Sequence, residues 1–259
     1  MVIEKLVVKT GTACTLKCEK CGEFNPYLAK KGKSYMLTAE VLSKDIYRIA
    51  KAVKEIETVH IAGGEALLHN DLFLLLSYIY LIPNIRKIEV VTNGTIIPNE
   101  MTINLLKELK KKVLILISDY SSAGVDNHQI LEALERSGVS YSIMRDMRWQ
   151  DRSDVSDKKL SEEELQYITQ NCASYRQRPY FTLSNGIISA HCPTAGSLLY
   201  YLDLHDECKG NYINIREIPD EDMLDELIRI NNADYLRMCN YCVPSWKVMY
   251  CQAGKQLEK

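Results

Sequence analysis

Residues 6–22 read LVVKTGTACTLKCEKCG, a short apolar run that leads into a loop with three cysteines. Cys14, Cys18 and Cys21 have the spacing C-x3-C-x2-C. Three thiolates on one loop can hold three irons of a cubane iron–sulfur cluster, which leaves the fourth iron without a protein ligand. A structural zinc site is closed by four ligands, and neither a histidine nor a fourth cysteine follows within this loop. The spacing favours a cluster with one open iron over a zinc site with a distant fourth ligand, and over three unconnected thiols.

Length, charge and cysteine content exclude several classes of protein. The 259 residues can bury a full core. A formal net charge of −2 and a pI near 6.2 give no reason to expect nucleic acid or an anionic membrane surface as a partner. The apolar stretch 72–82 is too short to span a bilayer, and no targeting segment is apparent. Nine cysteines without a secretion signal predict reduced thiols and a cytoplasmic protein, in which metal or catalytic roles outrank disulfides.

Strand-like and helix-like segments alternate through the first two-thirds of the chain. Strands are predicted at residues 6–9, 58–62, 87–92, 113–117 and 139–144. Helices are expected between them, with predicted N-caps at Thr38, Asn70 and Asp126 and another helix from about Asn99. Strands separated by helices of this length indicate βαβ units and a parallel sheet. The predicted fold class is therefore α/β, a partial (β/α) TIM-type barrel.

Unusual motifs follow the first four predicted strands in turn. They are the three cysteines, Gly63-Gly64-Glu65, Thr92-Asn93-Gly94 and Ser118-Asp119. In a (β/α) barrel, ligands and chemistry gather at the carboxyl ends of the strands. Glycines permit positive φ and close backbone approach, and the Glu65 carboxylate is an acceptor for an ammonium group. Each motif alone is also typical of an ordinary turn, so it is their order on successive strands that indicates one site.

In this order the motifs resemble the signature of the radical S-adenosylmethionine (radical SAM) superfamily. The resemblance implies a [4Fe-4S] cluster whose open iron binds S-adenosylmethionine, cleaved reductively to a deoxyadenosyl radical that removes a hydrogen atom from the substrate. It also implies that the glycine-glycine-glutamate segment receives the methionine amino group. The carboxylate or ribose of the cofactor is then expected at Thr92, Asn93, Ser118 and Asp119. The family often has an aromatic residue where this chain has Lys20, so Phe24 or Tyr27 is the expected substitute against the adenine.

The last third of the chain differs in composition. Residues 145–159 are polar and predict a loop, a capping box of Ser161 with Glu164 predicts a helix, and Asn185-Gly186 predicts a hairpin turn. Four cysteines flank these elements: Cys172, Cys192, Cys239 and Cys242. Their arrangement resembles the twitch domain of the same superfamily, a β-hairpin plus helix that holds an auxiliary [4Fe-4S] cluster. A four-cysteine zinc site is the alternative. The predicted domains are residues 1–150, the partial barrel, and residues 151–259, a linker helix and the twitch domain.

The resemblance narrows to carbohydrate-acting members of the superfamily, such as deoxy-scyllo-inosamine dehydrogenases and neomycin epimerases. It implies a sugar, nucleotide sugar or cyclitol as substrate, and an electron donor such as flavodoxin or ferredoxin as partner. Two stretches, one after the cysteine loop and one after the fifth strand, are expected to face the substrate. Their candidate residues are Glu23, Asn25, Tyr27, Arg148 and Trp149.

Two reactions are compatible with this resemblance, and both begin at a carbon that bears a hydroxyl. In an epimerisation, the favoured prediction, a thiol without a cluster role returns a hydrogen atom, and Cys251 and Cys208 are the candidates. In an oxidation, the auxiliary cluster accepts an electron and a base takes the hydroxyl proton. Arg145 lies in a suitable place in the sequence, although arginine is a poor base. Modification of a peptide and a non-enzymatic zinc-binding module are the remaining alternatives.

Overall fold

The computed structural model describes residues 1–145, 148–176 and 180–258. The strands are β1 (Val2–Lys9), β2 (Glu55–Ala62), β3 (Ile85–Thr92), β4 (Val113–Ser118), β5 (Tyr141–Met144), β6 (Arg148–Gln150), β7 (Tyr180–Ser184), β8 (Ile187–Ala190), β9 (Tyr212–Asn214) and β10 (Tyr250–Gln252). The helices are α1 (Asn25–Lys30), α2 (Ala39–Ala52), α3 (Leu72–Tyr80), α4 (Glu100–Glu108), α5 (His128–Ser137), α6 (Glu162–Asn171), α7 (Ala173–Arg176), α8 (Pro193–Tyr201) and α9 (Met223–Asn231).

Most strands join one sheet in the order β5-β4-β3-β2-β1-β7-β8-β9. Neighbouring strands from β5 to β7 run parallel, and β7-β8 and β8-β9 are antiparallel. Parallel strands with helices between them are the arrangement of a partial (β/α) barrel, which confirms the predicted fold class. The hairpin of β7 and β8 extends the sheet by pairing with β1, so the sheet crosses the predicted boundary at residue 150. The division into two domains stays a prediction.

The main core lies between the sheet and the helices that cover its convex face. Ile61 of β2, Ile46 of α2 and Leu75 of α3 are fully buried in it. The apolar stretch that begins at Leu72 is α3, one of these packed helices. Within the described residues, no helix has the length and apolar content that crossing a bilayer requires.

β1, β2, β3 and β5 end where the sequence predicts but begin elsewhere, whereas β4 begins at the predicted Val113 and ends one residue later than predicted, at Ser118. β1, β2 and β3 start several residues earlier than expected, because charged residues at their amino ends interrupt the apolar pattern yet pair in parallel register. β5 begins later, at Tyr141. At the hairpin, Asn185 has φ +48° and Gly186 φ +79°, the left-handed pair that the predicted two-residue turn requires.

Two helix caps agree with the sequence, and two do not. Thr38 accepts the backbone N–H of Val41, and the capping box at Ser161 is present. The predicted N-cap at Asn70 is wrong, because α3 starts one residue later, after Asp71. There the ring of His69 accepts the Asp71 N–H and thus holds the start of the helix. The cap at Asp126 is displaced by one residue, since α5 begins after Asn127.

The segment predicted as a loop over residues 145–159 contains a strand. β6 pairs antiparallel with β10, and Trp149 lies opposite Cys251. This pairing joins segments about a hundred residues apart, so local composition carried no sign of it. Asp146 and Met147 of the expected substrate-facing stretch lie outside the described residues.

Candidate active site

A cavity of about 320 Å³ opens at the carboxyl ends of the parallel strands. Most residues predicted for the site line it: Cys14, Cys18, Cys21, Gly63, Gly64, Thr92, Asn93, Ser118, Glu23, Asn25 and Trp149. The strand ends bring them together, because all the parallel strands finish at the same edge of the sheet. Such a volume is within the range of small-molecule and cofactor sites.

The cysteine loop is fastened to the glycine segment after β2. Gly64 donates its N–H to the Gly11 carbonyl at 3.0 Å, and Glu65 donates to the Ala13 carbonyl at 2.8 Å. A Cβ on Gly64 would lie 2.0 Å from the Ala13 oxygen, a distance that no side chain can adopt. The second glycine is therefore required by the close approach of the two loops, and it fixes the loop at the edge of the cavity.

Glu65 has a structural role that the sequence did not predict. Its side chain is buried, and it accepts the backbone N–H of Leu67 at 2.9 Å and that of Asn93 at 2.8 Å. Burial raises the pKa of this carboxyl, which these hydrogen bonds oppose. Glu65 thus connects the end of β2 to the end of β3. It does not line the cavity, and its contact with a bound ammonium group stays a prediction.

Of the three loop thiols, Cys18 is buried and Cys14 and Cys21 are half-buried, and hydrogen bonds reach the sulfurs of Cys14 and Cys18. The Cys14 sulfur accepts from Leu16 N at 3.4 Å and from Asn93 Nδ2 at 3.6 Å, and that of Cys18 accepts from Gln256 Nε2 at 3.4 Å. Burial raises the pKa of all three thiols, to about 12 for Cys21. A bound metal supplies the positive charge that makes such thiols ligands.

The donor set fits an iron–sulfur cluster, since thiolates on one loop line one wall of a cavity that is large enough for a further ligand. Within the described part of the chain, no three Cys, His, Asp or Glu side chains stand at the separation that a single metal ion requires. In a cubane each thiolate binds a different iron, so its ligands stand further apart than those of one ion.

The C-terminal segment covers the cysteine loop, a contact that nothing in the sequence indicated. Glu19 donates its N–H to the Lys255 carbonyl at 2.7 Å, and Leu257 donates to the Lys17 carbonyl at 2.8 Å. The Gln256 side chain also accepts the Lys17 N–H at 2.8 Å. Residues 255–257 therefore pack on the cysteine loop and hold it in place.

A second, smaller cavity gathers Cys172, Cys192, Cys239 and Cys242, the four cysteines predicted to act together. Arg152 Nη1 donates to the Cys242 sulfur at 3.1 Å and to the Val243 carbonyl at 2.9 Å. Burial raises the pKa of Cys242 to about 11, and the guanidinium opposes this rise. The arrangement can hold a four-thiolate metal group with a positive charge beside it.

The two cysteines left over lie in different surroundings. Cys208 is fully buried in an apolar cluster with Leu204 and Met238, and burial raises its pKa to about 12. Cys251 is half-buried on β10, directly opposite Trp149, whose ring lines the main cavity. Neither cysteine lines that cavity itself.

Several other predicted residues lie away from the cavity. Arg145 and Arg148 are exposed, and Asp119 accepts the N–H of Ser121 in a local turn. Phe24 stacks on Tyr201 with ring centroids 4.8 Å apart, and the Tyr27 hydroxyl donates to the Glu19 carbonyl. The aromatic rings that do line the cavity are those of Tyr120, Trp149 and Tyr180.

Sequence analysis missed two polar residues on the concave face of the sheet. His60 of β2 lines the cavity. Lys9 of β1 is buried and pairs with the Glu23 carboxylate, which also accepts the Ser197 hydroxyl at 2.7 Å. The alternation of side chains along a strand was the available signal, because it places both residues on the same face as Ala62 at the site.

Comparison with known proteins gives a family and a fold. A protein-family model described as the radical SAM superfamily matches residues 8–142. The GTP 3',8-cyclase of Geobacter sulfurreducens is 32% identical over 106 residues, which are 40% of this chain and 30% of that enzyme. The chain thus matches less than a third of the length of this curated relative.

Among solved structures, BtrN in complex with AdoMet and 2-DOIA superposes with a TM-score of 0.55 at 14% identity, and the match covers 99% of each chain. SuiB of Streptococcus suis bound to S-adenosylmethionine gives a TM-score of 0.44 at 20% identity, over 55% of this chain and 33% of SuiB. The likeness to BtrN supports the partial-barrel fold along nearly the whole chain.

Proposed function

Since the chain belongs to the radical SAM superfamily, we propose that it removes a hydrogen atom from a carbinol carbon of a sugar, nucleotide sugar or cyclitol. The observation that carries the proposal is the composition of the main cavity. The loop thiols and the strand-end residues Gly63, Thr92 and Asn93 share it with polar and aromatic side chains suited to a hydroxylated ring. Glu23 and Asn25 offer carboxylate and amide groups to hydroxyls, and Tyr180 offers an aromatic face.

The superfamily uses S-adenosylmethionine and a [4Fe-4S] cluster, and Cys14, Cys18 and Cys21 are the residues that would hold this cluster. When bound, the two groups supply the radical that takes the hydrogen atom. The chain's own contribution is to keep the substrate against that position and to exclude water. We assign an auxiliary [4Fe-4S] cluster to the cysteines of the smaller cavity, and a flavodoxin or ferredoxin as electron donor.

Epimerisation is the outcome we propose first. It needs a thiol that has no cluster role and can reach the substrate. Side chains directly opposite each other in an antiparallel pair point to the same face, so Cys251 shares a face with Trp149, which lines the cavity. Cys208 lacks such a connection, because it lies inside an apolar cluster. The geometry therefore favours Cys251 as the hydrogen donor.

Oxidation to a ketone is the second candidate. The four cysteines of the smaller cavity, with Arg152 beside them, could hold an electron acceptor. Cys251 is near the main cavity but not in its wall, which leaves room for a product that receives no hydrogen from the protein.

The test is anaerobic reconstitution followed by turnover in deuterated water with a panel of nucleotide sugars and cyclitols. Epimerisation predicts one solvent-derived deuteron at an inverted carbon and no product from Cys251→Ala, with Cys208→Ala as the matched control that stays active. A keto product with Cys251→Ala still active supports oxidation. Bound zinc without iron, or reaction only with peptides, would refute the proposal.

A further inference from the structure

His60 and Glu89 form a hydrogen-bonded pair on the concave face of the sheet. They are register partners on β2 and β3, and His60 Nδ1 lies 2.9 Å from Glu89 Oε2. Only His60 of the two lines the main cavity. The pair is thus a histidine at the wall of the site with a carboxylate beside it on the neighbouring strand.

The charges around the pair indicate which nitrogen of the His60 imidazole carries the proton. The hydrogen bond with His60 lowers the pKa of Glu89 to about 2, Lys87 adds to this effect, and burial opposes it. Glu89 is therefore a carboxylate and can only accept, so Nδ1 of His60 must carry the proton. In the neutral ring Nε2 then has a lone pair to offer as an acceptor.

His60 is not needed to neutralise the Glu89 carboxylate. Lys87 Nζ lies 2.7 Å from Glu89 Oε1, and Lys5 Nζ lies 3.9 Å from Oε2, so two lysines already balance the carboxylate. Across the described residues, no group forms a hydrogen bond with His60 Nε2, although Nδ1 has its partner. An oriented acceptor in the wall of a substrate cavity is the arrangement by which a carboxylate fixes a functional imidazole.

We propose that His60, oriented by Glu89, accepts the hydrogen bond of the hydroxyl on the reacting carbon. The inference rests on the proposed function and assigns a residue to it. An accepted hydrogen bond increases electron density on the hydroxyl oxygen, which stabilises the carbon radical left after hydrogen-atom removal. His60 is then a catalytic residue and Glu89 a positioning residue.

His60 and Glu89 are compatible with either reaction, the epimerisation or the oxidation, and atoms and electrons balance in both. In an epimerisation the hydroxyl proton stays on oxygen and a thiol hydrogen atom returns to the carbon. The thiyl radical left on sulfur is restored to a thiol by one electron from the electron donor and one proton from solvent. In an oxidation the O–H bond breaks, its proton goes to Nε2, and the C–O bond becomes a double bond. The one remaining electron leaves to an iron–sulfur centre, and the Glu89 carboxylate stabilises the imidazolium.

The first experiment needs no substrate. Nitrogen-15 NMR of imidazoles in the oxidised holoenzyme reports the tautomer of His60, assigned by its loss in His60→Gln. We expect the Nδ1–H form in the wild type and a mixture of tautomers in Glu89→Gln. An Nε2–H tautomer in the wild type would overturn the inference, because Nε2 could then only donate.

The second experiment measures turnover with UDP-glucose, UDP-N-acetylglucosamine and myo-inositol, together with deoxyadenosine formed without substrate. We expect His60→Leu to lose substrate turnover at least about 100-fold while it keeps iron content and substrate-free cofactor cleavage. His128→Leu, at an exposed histidine that does not line the cavity, is the control.

The outcomes separate this inference from the proposed function. If the wild type and His60→Leu turned over a carbinol substrate equally well, the role assigned to His60 would be refuted. The proposed function would then still hold. Cofactor cleavage without reaction at any carbinol would refute the proposed function, and the tautomer measurement would still decide whether Nε2 is an acceptor.

Discussion

Replacing Gly64 with alanine should separate the cysteine loop from the end of β2. The new Cβ would lie 2.0 Å from the Ala13 carbonyl oxygen and 2.7 Å from that of Thr12, and both are backbone atoms that cannot rotate away. Relief requires the loop to move, which breaks the hydrogen bonds of Gly64 N to Gly11 O and of Glu65 N to Ala13 O. Two such bonds are worth about 1 kcal/mol each, and overpacking adds about 1–3 kcal/mol. The expected loss is about 3–5 kcal/mol.

Urea unfolding followed by circular dichroism, together with iron per chain after anaerobic reconstitution, measures this loss. We expect a lower midpoint with an unchanged slope, and iron content reduced at the site of the loop thiols. Gly22→Ala is the matched control in the same loop, because a Cβ there meets no atom within 4 Å. If Gly64→Ala kept both wild-type stability and full iron content, the close approach of the two loops would not be what holds the cysteines.

Three further changes each test one side chain. Gln256→Leu removes the N–H donor to the Cys18 sulfur, and a hydrogen bond of about 1 kcal/mol corresponds to about 40 mV, so the cluster's reduction potential should fall by that order in spectroelectrochemistry. Glu89 has a folded pKa near 2, below its unfolded value, so its stabilisation is complete above about pH 4.5 and lost as pH falls toward 2. Glu89→Gln should therefore flatten stability against pH in that window, measured by urea unfolding, and an unchanged slope would contradict this. Arg152→Met removes the cation beside Cys242, so the thiol pKa, followed by absorbance at 240 nm in metal-free protein, should rise above about 11.

The sequence predicted the site better than it predicted the walls around the site. Cys14, Gly64 and Asn93 follow strands whose carboxyl ends were clear from the apolar pattern, and one edge of a parallel sheet brings such ends together. The pairing of β6 with β10 and the contact of Gln256 with Cys18 could not be predicted, since they join distant polar segments with no periodicity. Both contacts form only between segments that the complete fold brings together.

The surroundings of the Phe24 side chain likewise could not be predicted from the sequence. Its position after the cysteine loop suggested a ring free to stack on a ligand, but α8 brings Tyr201 against it at 4.8 Å. Which ring faces the cavity was decided by the approach of a helix that lies far away in the sequence. Tyr180 reaches the cavity from a segment that the apolar pattern did not relate to it, whereas Trp149 lines the cavity as expected from its place after the fifth strand.

The open sheet explains how one strand can serve both stability and chemistry. A closed (β/α) barrel fills its interior with layers of branched apolar side chains. Here the sheet ends at β5 and β9, and the apolar core with the helices lies on the convex face, where Ile61 is fully buried. The neighbouring His60 points to the opposite face, because successive side chains of a strand alternate. On that face Ile56 and Ile85 still join the main core at the amino ends of β2 and β3, and the carboxyl ends carry the ionic pair of His60 with Glu89 beside a polar cavity.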